Sequence, residues 1–272
     1  MDAWVSTMLI ALVALIIHDN VSWRTLLLVV TLGVGYWVAF AINDYFDAPA
    51  DALDPRKREQ NFFAKNRVTQ RQLITAVFLI CAPHLLVFAQ FGWRSIVVIA
   101  ICLVVMWGYS APPLRFKDRP GIDLIIHSLF VETFPYAVAL YLPAAQPTLL
   151  DGVILAIVFL TSTTAQLEQQ IRDYEIDLAS DTRNFTTRFG REITARWLKR
   201  LTLLVSIIAT ITVLTQIIPL WLAPIVILAL PAMAHRFGRD PYAPRSEKLI
   251  NTLIILGLLY LTTTFIIYLF LL

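Results

Sequence analysis

Residues 25–51 read TLLLVVTLGVGYWVAFAINDYFDAPAD, an apolar stretch that runs directly into three aspartates. No charged residue occurs from Thr25 to Ile42, and a helix over about 25–45 is long enough to cross a hydrocarbon core of about 30 Å. If that helix continues, the i, i+3 and i+4 spacings put Asp44, Asp47 and Asp51 on one face, one turn apart. Pro49 permits a kink or an early end, so the place of Asp51 depends on how the helix passes it. Stacked carboxylates repel one another and call for a cation. Hard oxygen donors suit Mg²⁺, which takes one or two carboxylates and completes its shell with water or phosphate.

The rest of the chain repeats the apolar half of this pattern. Of its 272 residues 58% are hydrophobic and 15% charged, with a mean hydropathy of +0.70. Such a composition excludes a soluble domain of this length, and no nucleic-acid partner is expected. Apolar runs between charged or Pro-rich breaks predict nine helices, at about 4–17, 25–45, 71–90, 95–110, 121–143, 149–172, 196–217, 219–236 and 247–271. The run from Met8 to Ile17 lacks a basic leader and a small-residue cleavage site, so it reads as a helix and not as a secretory signal. No strict apolar/polar alternation accompanies these runs, so the expected fold is an all-α polytopic membrane bundle. Cys81 and Cys102 fall inside apolar runs without metal-ligand spacing.

Basic residues orient the bundle. The connections after the second, fourth, sixth and eighth helices, with their flanking ends, hold 20 of the 22 Lys and Arg, leaving only Arg24 and Arg94 opposite. The positive-inside rule then puts the N-terminus and these connections in the cytoplasm and the C-terminus outside. For the connection after the eighth helix, which has no carboxylate cluster, the basic excess reads as a topology signal alone.

A second acidic set, DYEIDLASD over residues 173–181, follows the sixth helix. Its i, i+4, i+8 spacing places Asp173, Asp177 and Asp181 in one stripe on the same membrane side as the first set. Two facing carboxylate clusters suggest Mg²⁺ ions bridged by a diphosphate whose charge they neutralise as it leaves. Neighbouring Lys and Arg would complete a phosphate cradle. A secondary transporter also fits facing polar clusters and two similar halves, although transporters place their sites near the bilayer midplane.

With these residues in hand, the chain resembles the UbiA superfamily of intramembrane prenyltransferases over essentially its whole length. Asn43, Asp44, Asp47 and Asp51 match that family's NDxxDxxxD motif, and Asp173 and Asp177 match its DxxxD motif, with Asp181 continuing the stripe. A third signature after the fourth helix is matched by Tyr109, Ser110, Pro112, Pro113, Arg115 and Lys117. The resemblance implies nine transmembrane helices around a central cavity, in a single domain over 1–272. Two pseudo-equivalent halves, about 1–120 and 121–246, are followed by a ninth helix.

The resemblance also implies transfer of a prenyl group from an isoprenoid diphosphate to a hydrophobic acceptor through Mg²⁺-assisted ionisation. Asp44, Asp47, Asp173 and Asp177 are the expected catalytic residues, and with Asp51 and Asp181 the expected metal ligands. Asn43, Tyr109, Arg115 and Lys117 are expected to contact the diphosphate, and Lys65 and Arg67 to close over it from the loop after the first motif.

The expected partners are the isoprenoid diphosphate, an acceptor drawn from the bilayer, and membrane lipids, in the cytoplasmic membrane of a prokaryote. Members acting on 4-hydroxybenzoate carry an Arg-Pro run after the first motif and a basic residue early in the chain. This chain has neither, since the loop runs from Asp54 to Thr69 without Arg-Pro and no Lys or Arg precedes Arg24. A largely apolar acceptor, such as a carotenoid, a quinone precursor or a lipid alcohol, fits as well or better.

Three polar features and a set of aromatic residues lie inside the apolar runs. Glu132 is open to two roles, a base toward the acceptor or a partner of His127 or a neighbouring helix. His84 and His127 have no ligand-spaced partners and read as satisfied core histidines. Gln166, Glu168, Gln169 and Gln170 precede the second motif and are expected near the polar end of the cavity. Phe40, Tyr45, Phe134 and Tyr136 are candidate aromatic walls.

Overall fold

The structure is a computed structural model that describes residues 3–243 and 245–271. Among these it is all-helical, with helices where the apolar runs predict them. The long ones are α1 (Ala3–Ile17), α2 (Trp23–Asp51), α5 (Gln70–Ala89), α6 (Arg94–Gly108), α9 (Leu149–Ala179), α11 (Arg191–Leu214), α12 (Ala223–Gly238) and α13 (Glu247–Leu271). Short helices α3 (Pro55–Gln60), α4 (Phe62–Lys65) and α10 (Phe185–Phe189) lie in the connections. A further helical run is composite: α7 (Ile122–Ser128) passes through a π-helical turn, Leu129–Thr133, into α8 (Phe134–Tyr141).

Six of these runs are long and apolar enough to span a membrane, and three shorter apolar helices, Val5–Ile17, Arg94–Gly108 and Ala223–Gly238, stand where the remaining runs were expected. Large apolar side chains are exposed on the outside of the bundle, including Leu79 at 65%, Leu86 at 73%, Ile96 at 70% and Leu259 at 60%. A face of this kind is stable against lipid and not against water. The chain is a multi-pass integral membrane protein.

Two packed centres organise the bundle. One buries Ala11, Ala14 and Leu15 of α1 against Leu28 and Leu32 of α2 and Tyr136, Val138 and Ala139 of α8. The other joins Leu124 of α7 and Leu167 and Ile171 of α9 to Ala195 and Leu198 of α11. Polar bonds fix the ends. At the N-terminus of α9, Asp151 is almost fully buried and accepts from Tyr136 Oη at 2.7 Å and from Thr148 N and Oγ1 at 2.6 and 2.7 Å. His18 Nε2 lies 3.0 Å from the same carboxylate, tying α1 to α9.

At the opposite end, buried Asp123 accepts from Gly121 N, Phe185 N and Gln170 Nε2 at 2.6, 3.0 and 2.6 Å. Gln170 Oε1 in turn accepts from Thr186 N and Oγ1, each at 3.1 Å. This buried network locks the starts of α7 and α10 to α9, just beside the second acidic motif.

Two helices run past their apolar segments, and the acidic motifs ride on the extensions. Ser22 and Thr25 form a reciprocal cap that starts α2. The helix then continues through Pro49 to Asp51 and closes with Ala52 N bonded to Ala48 O at 3.0 Å. Asp44, Asp47 and Asp51 therefore stay helical.

The sixth expected helix, predicted to end near 172, extends to Ala179. It stops in a Schellman-type closure, with Thr182 N on Asp177 O at 2.8 Å, Asp181 N on Leu178 O at 3.3 Å, and Asp181 in the left-handed region at φ 54°. The stripe expected to reach Asp181 by i+8 spacing consequently ends at Asp177. Once the backbone turns over, Asp181 points elsewhere.

Candidate active site

The carboxylate ends of α2 and α9 and the segment after α6 converge on one mouth, which opens into a cavity of about 880 Å³. Asn43, Asp47 and Asp51 of α2, Lys57 of α3, Tyr109, Arg115, Lys117 and Asp118 after α6, and Asp173 and Asp177 of α9 line this polar end. Ser180, Thr182 and Asn184 complete it from the turn after α9. All three sequence motifs thus meet, as even-numbered connections on one side of a membrane must.

Asn43 and Lys117 join the first and third motifs. Ser110 Oγ donates to Asn43 Oδ1 at 2.6 Å, and Asn43 Nδ2 donates to Asp47 Oδ2 at 2.8 Å. Lys117 forms an ion pair with Asp47 and reaches Asn43 Oδ1 at 3.4 Å. The segment carrying Lys117 sits tightly against the end of α6, because a Cβ on Gly108 would fall 2.8 Å from Leu114 Cδ1 and 3.1 Å from Phe116 Cε2. Only glycine permits that approach without displacement.

Arg115 takes a left-handed conformation, φ 38°, and its guanidinium pairs with Asp118. Burial, with the Asp123, Asp47 and Asp118 carboxylates nearby, pushes the Tyr109 phenol up, so it remains a proton-bearing donor.

Lys57 bridges to the second motif. Its Nζ lies 3.1 Å from Asp173 Oδ2, while Arg172 Nε meets Asp173 Oδ1 at 3.1 Å. Asp177 Oδ2 accepts from Asn184 Nδ2 at 2.7 Å. On the first motif Asp51 Oδ2 accepts from Asn61 Nδ2 at 2.8 Å, and buried Asn61 caps α4 through Phe63 N at 2.8 Å. Lys57, Asn61 and Asn184 escaped the sequence reading. An Asn ahead of a short helix is a cap signal that could have flagged Asn61 and Asn184, whereas nothing local marks Lys57 among its basic neighbours.

Other expected residues stand apart from the cavity. Asp44 sits at the edge of the α2 face and does not line it; its backbone oxygen accepts from Asn61. Lys65 turns back along its own loop, donating to Glu59 O at 2.6 Å and lying 3.7 Å from the Glu59 carboxylate. Arg67 is exposed outside the lining, and Asp181, with its side chain 91% exposed, is oriented outward.

Of the four polar residues ahead of the second motif, Gln166, Gln169 and Gln170 line the cavity, but Glu168 does not. It faces α12, where Arg236 Nη2 lies 2.9 Å from it and Arg239 pairs with its other oxygen. The bases after the eighth expected helix are therefore more than a topology signal, since two of them neutralise a buried carboxylate.

Beyond the mouth the cavity becomes apolar. Phe40, Phe78, Phe88, Phe130 and Phe134 line it with Ile74, Leu85, Leu103 and Met106. The lining cations Lys57, Arg115 and Lys117 all belong to the mouth. Tyr45 instead packs on Phe46 and Phe63, and Tyr136 is the fully buried partner of Asp151.

His84 is satisfied by Thr31 Oγ1 at 3.0 Å, as a core histidine should be. His127 lies with its ring 6.4 Å from that of Tyr109.

The donor set suits a hard divalent cation shared with phosphate. Among the described residues no three His, Cys, Asp or Glu side chains converge into a cage sufficient by themselves, and Asp47 and Asp173 have lysine partners. Mg²⁺ requires no such cage, because it takes few carboxylates and fills its remaining positions from phosphate and water.

The arrangement defines a class, a membrane enzyme with a charged mouth above an apolar chamber. The chain belongs to the UbiA prenyltransferase family, whose sequence profile matches residues 4–256. It is a prenyltransferase, which removes the transporter reading. A lycopene elongase/hydratase of Corynebacterium glutamicum is 28% identical over 238 residues, covering 86% of this chain and 81% of the relative. One of Haloarcula japonica is 31% identical over 99 residues, 34% of this chain and 31% of its own.

Among solved structures, a UbiA homologue from Archaeoglobus fulgidus bound to GPP and Mg²⁺ superposes with a TM-score of 0.72 at 19% identity, over 98% of this chain and 96% of its own. An apo homologue from Aeropyrum pernix K1 gives 0.72 at 13% identity, over 97% of both chains. These likenesses establish the fold.

Proposed function

We propose that this protein uses Mg²⁺ to ionise an isoprenoid diphosphate and joins the prenyl group to an extended polyene acceptor of the carotenoid class. The observation that carries this reading is the division of the cavity, with every lining cation at the mouth and an aromatic, uncharged chamber beneath. A carboxylate-bearing acceptor would need a buried basic partner below the mouth. The Corynebacterium relative, a lycopene elongase/hydratase, and the Archaeoglobus homologue, bound to GPP and Mg²⁺, support the acceptor class, the donor class and the metal.

Asp47, Asp51, Asp173 and Asp177 are the proposed metal-facing carboxylates, with Asn43 beside them. When bound, the metal supplies charge neutralisation for the departing diphosphate. Lys57, Lys117 and Arg115 offer charged donors to its oxygens and Tyr109 a phenolic hydrogen. Their grouping at one end lets negative charge develop on the leaving oxygens while the allylic C–O bond breaks. The chamber excludes water from the carbon left electron-poor, and its ring faces stabilise positive charge there.

A double bond of the acceptor then supplies the electron pair for the new C–C bond, and the cation this leaves on the acceptor is discharged by loss of a proton from a neighbouring carbon to the released diphosphate or to water. Each half of the single domain contributes one carboxylate helix, and the positive-inside rule assigns the mouth to the cytoplasm. Purified protein in lipid nanodiscs, given Mg²⁺, lycopene and a series of isoprenoid diphosphates, should release diphosphate and yield a polyene heavier by the prenyl unit. Diphosphate release with no polyene product would move the acceptor to another class.

A further inference from the structure

Asp181, turned out of the cavity by the end of α9, belongs to a second hollow of about 590 Å³. Asp118, Arg119 and Pro120 form one side, and Leu178, Asp181, Thr182, Arg183, Thr187 and Arg188 the other. Asp118 and Thr182 line both the hollow and the cavity mouth, so the two share a wall. Three guanidinium groups face two carboxylates. Asp118 is held by Arg115 from the cavity side, Asp181 lies 4.0 Å from Arg183, and Arg119 stacks on Phe116 at 5.7 Å. Among the described residues neither Arg119 nor Arg188 has a carboxylate partner.

We infer that this hollow is a binding station for inorganic diphosphate on its way out of the active site, an inference that rests on the function proposed above. Arginine forks match phosphate oxygens in geometry and charge. Of its nine lining residues only Leu178 and Pro120 are apolar and none is aromatic, so it suits the head group freed of its prenyl chain and not the intact donor. Its two carboxylates moderate the attraction, which keeps the station weaker than the mouth and lets the ion leave. Through Asp118 and Thr182 the hollow borders the mouth where diphosphate is released. A phospholipid phosphate presents the same chemistry, and this position beside the mouth favours the soluble ion.

The test uses the full chain in nanodiscs of neutral lipid, with Arg119→Gln, Arg183→Gln and Arg188→Gln combined. Equilibrium binding of labelled inorganic diphosphate with Mg²⁺ should resolve two sites on the parent protein, the weaker of which loses roughly tenfold or more in affinity in the variant. Rapid-quench prenyl transfer in a single turnover should be unchanged, which also establishes that the variant is folded, while steady-state turnover falls.

Identical binding curves for the two proteins would overturn the inference. So would an effect of the substitutions that appears only when anionic phospholipid is added, since that marks a lipid head-group site. A parent protein that binds two diphosphates yet never cleaves a donor would refute the proposed function and with it the exit role, leaving an anion site only.

Discussion

Lys57 and Asp173, 116 positions apart in the chain, meet at 3.1 Å across the mouth of the cavity. The contact ties the loop after the first acidic motif to the helix that carries the second. Asp173 is almost fully buried and Lys57 only partly exposed, so the pair is shielded from screening by bulk water. A lysine held there can turn from carboxylate to phosphate when a donor arrives.

Replacing Lys57 by Met removes both the bridge and a phosphate donor. Charge-assisted hydrogen bonds contribute about 1.5–3 kcal/mol, so the KM for the isoprenoid diphosphate is expected to rise by roughly ten- to a hundredfold, with Lys57→Arg between the two. Steady-state diphosphate release measures this, and an unchanged KM in Lys57→Met would remove Lys57 from the site.

Within the first motif the aspartates should not be equivalent. Asp47 lines the cavity and pairs with Lys117, whereas Asp44 stands at the edge of the helix face. Asp47→Asn is expected to cost at least about a hundredfold in kcat/KM, equivalent to about 2.7 kcal/mol, and Asp44→Asn considerably less. Equal losses would mean that Asp44 turns into the site on binding.

This inequality marks where reading the sequence stops. The apolar runs, the one-sided basic residues and the three motifs were legible because hydropathy and charge are properties of neighbouring residues, and a membrane converts them directly into helices and sides. Asp181 was misplaced because i+8 spacing assumes a helix that continues, and no residue type announced the left-handed turn at that position. Lys57 with Asp173, Asp123 with Gln170, and Glu168 with Arg236 were invisible for another reason. Each joins residues 47 or more positions apart, and periodicity says nothing about which loops meet.

Glu168 tests the structural side. Its carboxylate is mostly buried between Arg236 and Arg239, and Arg236 Nη1 also donates to Thr164 Oγ1 at 2.7 Å. Removing one partner of a buried ionic group typically costs about 3–5 kcal/mol, because the charges left behind are uncompensated. Glu168→Ala should lower the thermal midpoint in detergent markedly, and Glu168→Ala with Arg236→Met should recover part of the loss. A neutral Glu168→Ala would show that the cluster is solvated and contributes nothing.

At the end of α9, Asp181→Gly relieves a positive φ, a conformation that costs a residue with a side chain about 1 kcal/mol and glycine little. A small rise in thermal midpoint with single-turnover chemistry intact is expected. Loss of that chemistry would bring Asp181 back among the residues that act inside the cavity.

The most direct measurement of the central claim is made on purified protein in nanodiscs with dimethylallyl diphosphate, lycopene and Mg²⁺, following released diphosphate and the mass of the polyene together. The account predicts both signals in the parent protein, their disappearance on chelation of the metal, and the loss of both in Asp47→Asn and Asp173→Asn variants that remain folded. Prenylated polyene formed at the parental rate by those two variants would contradict it.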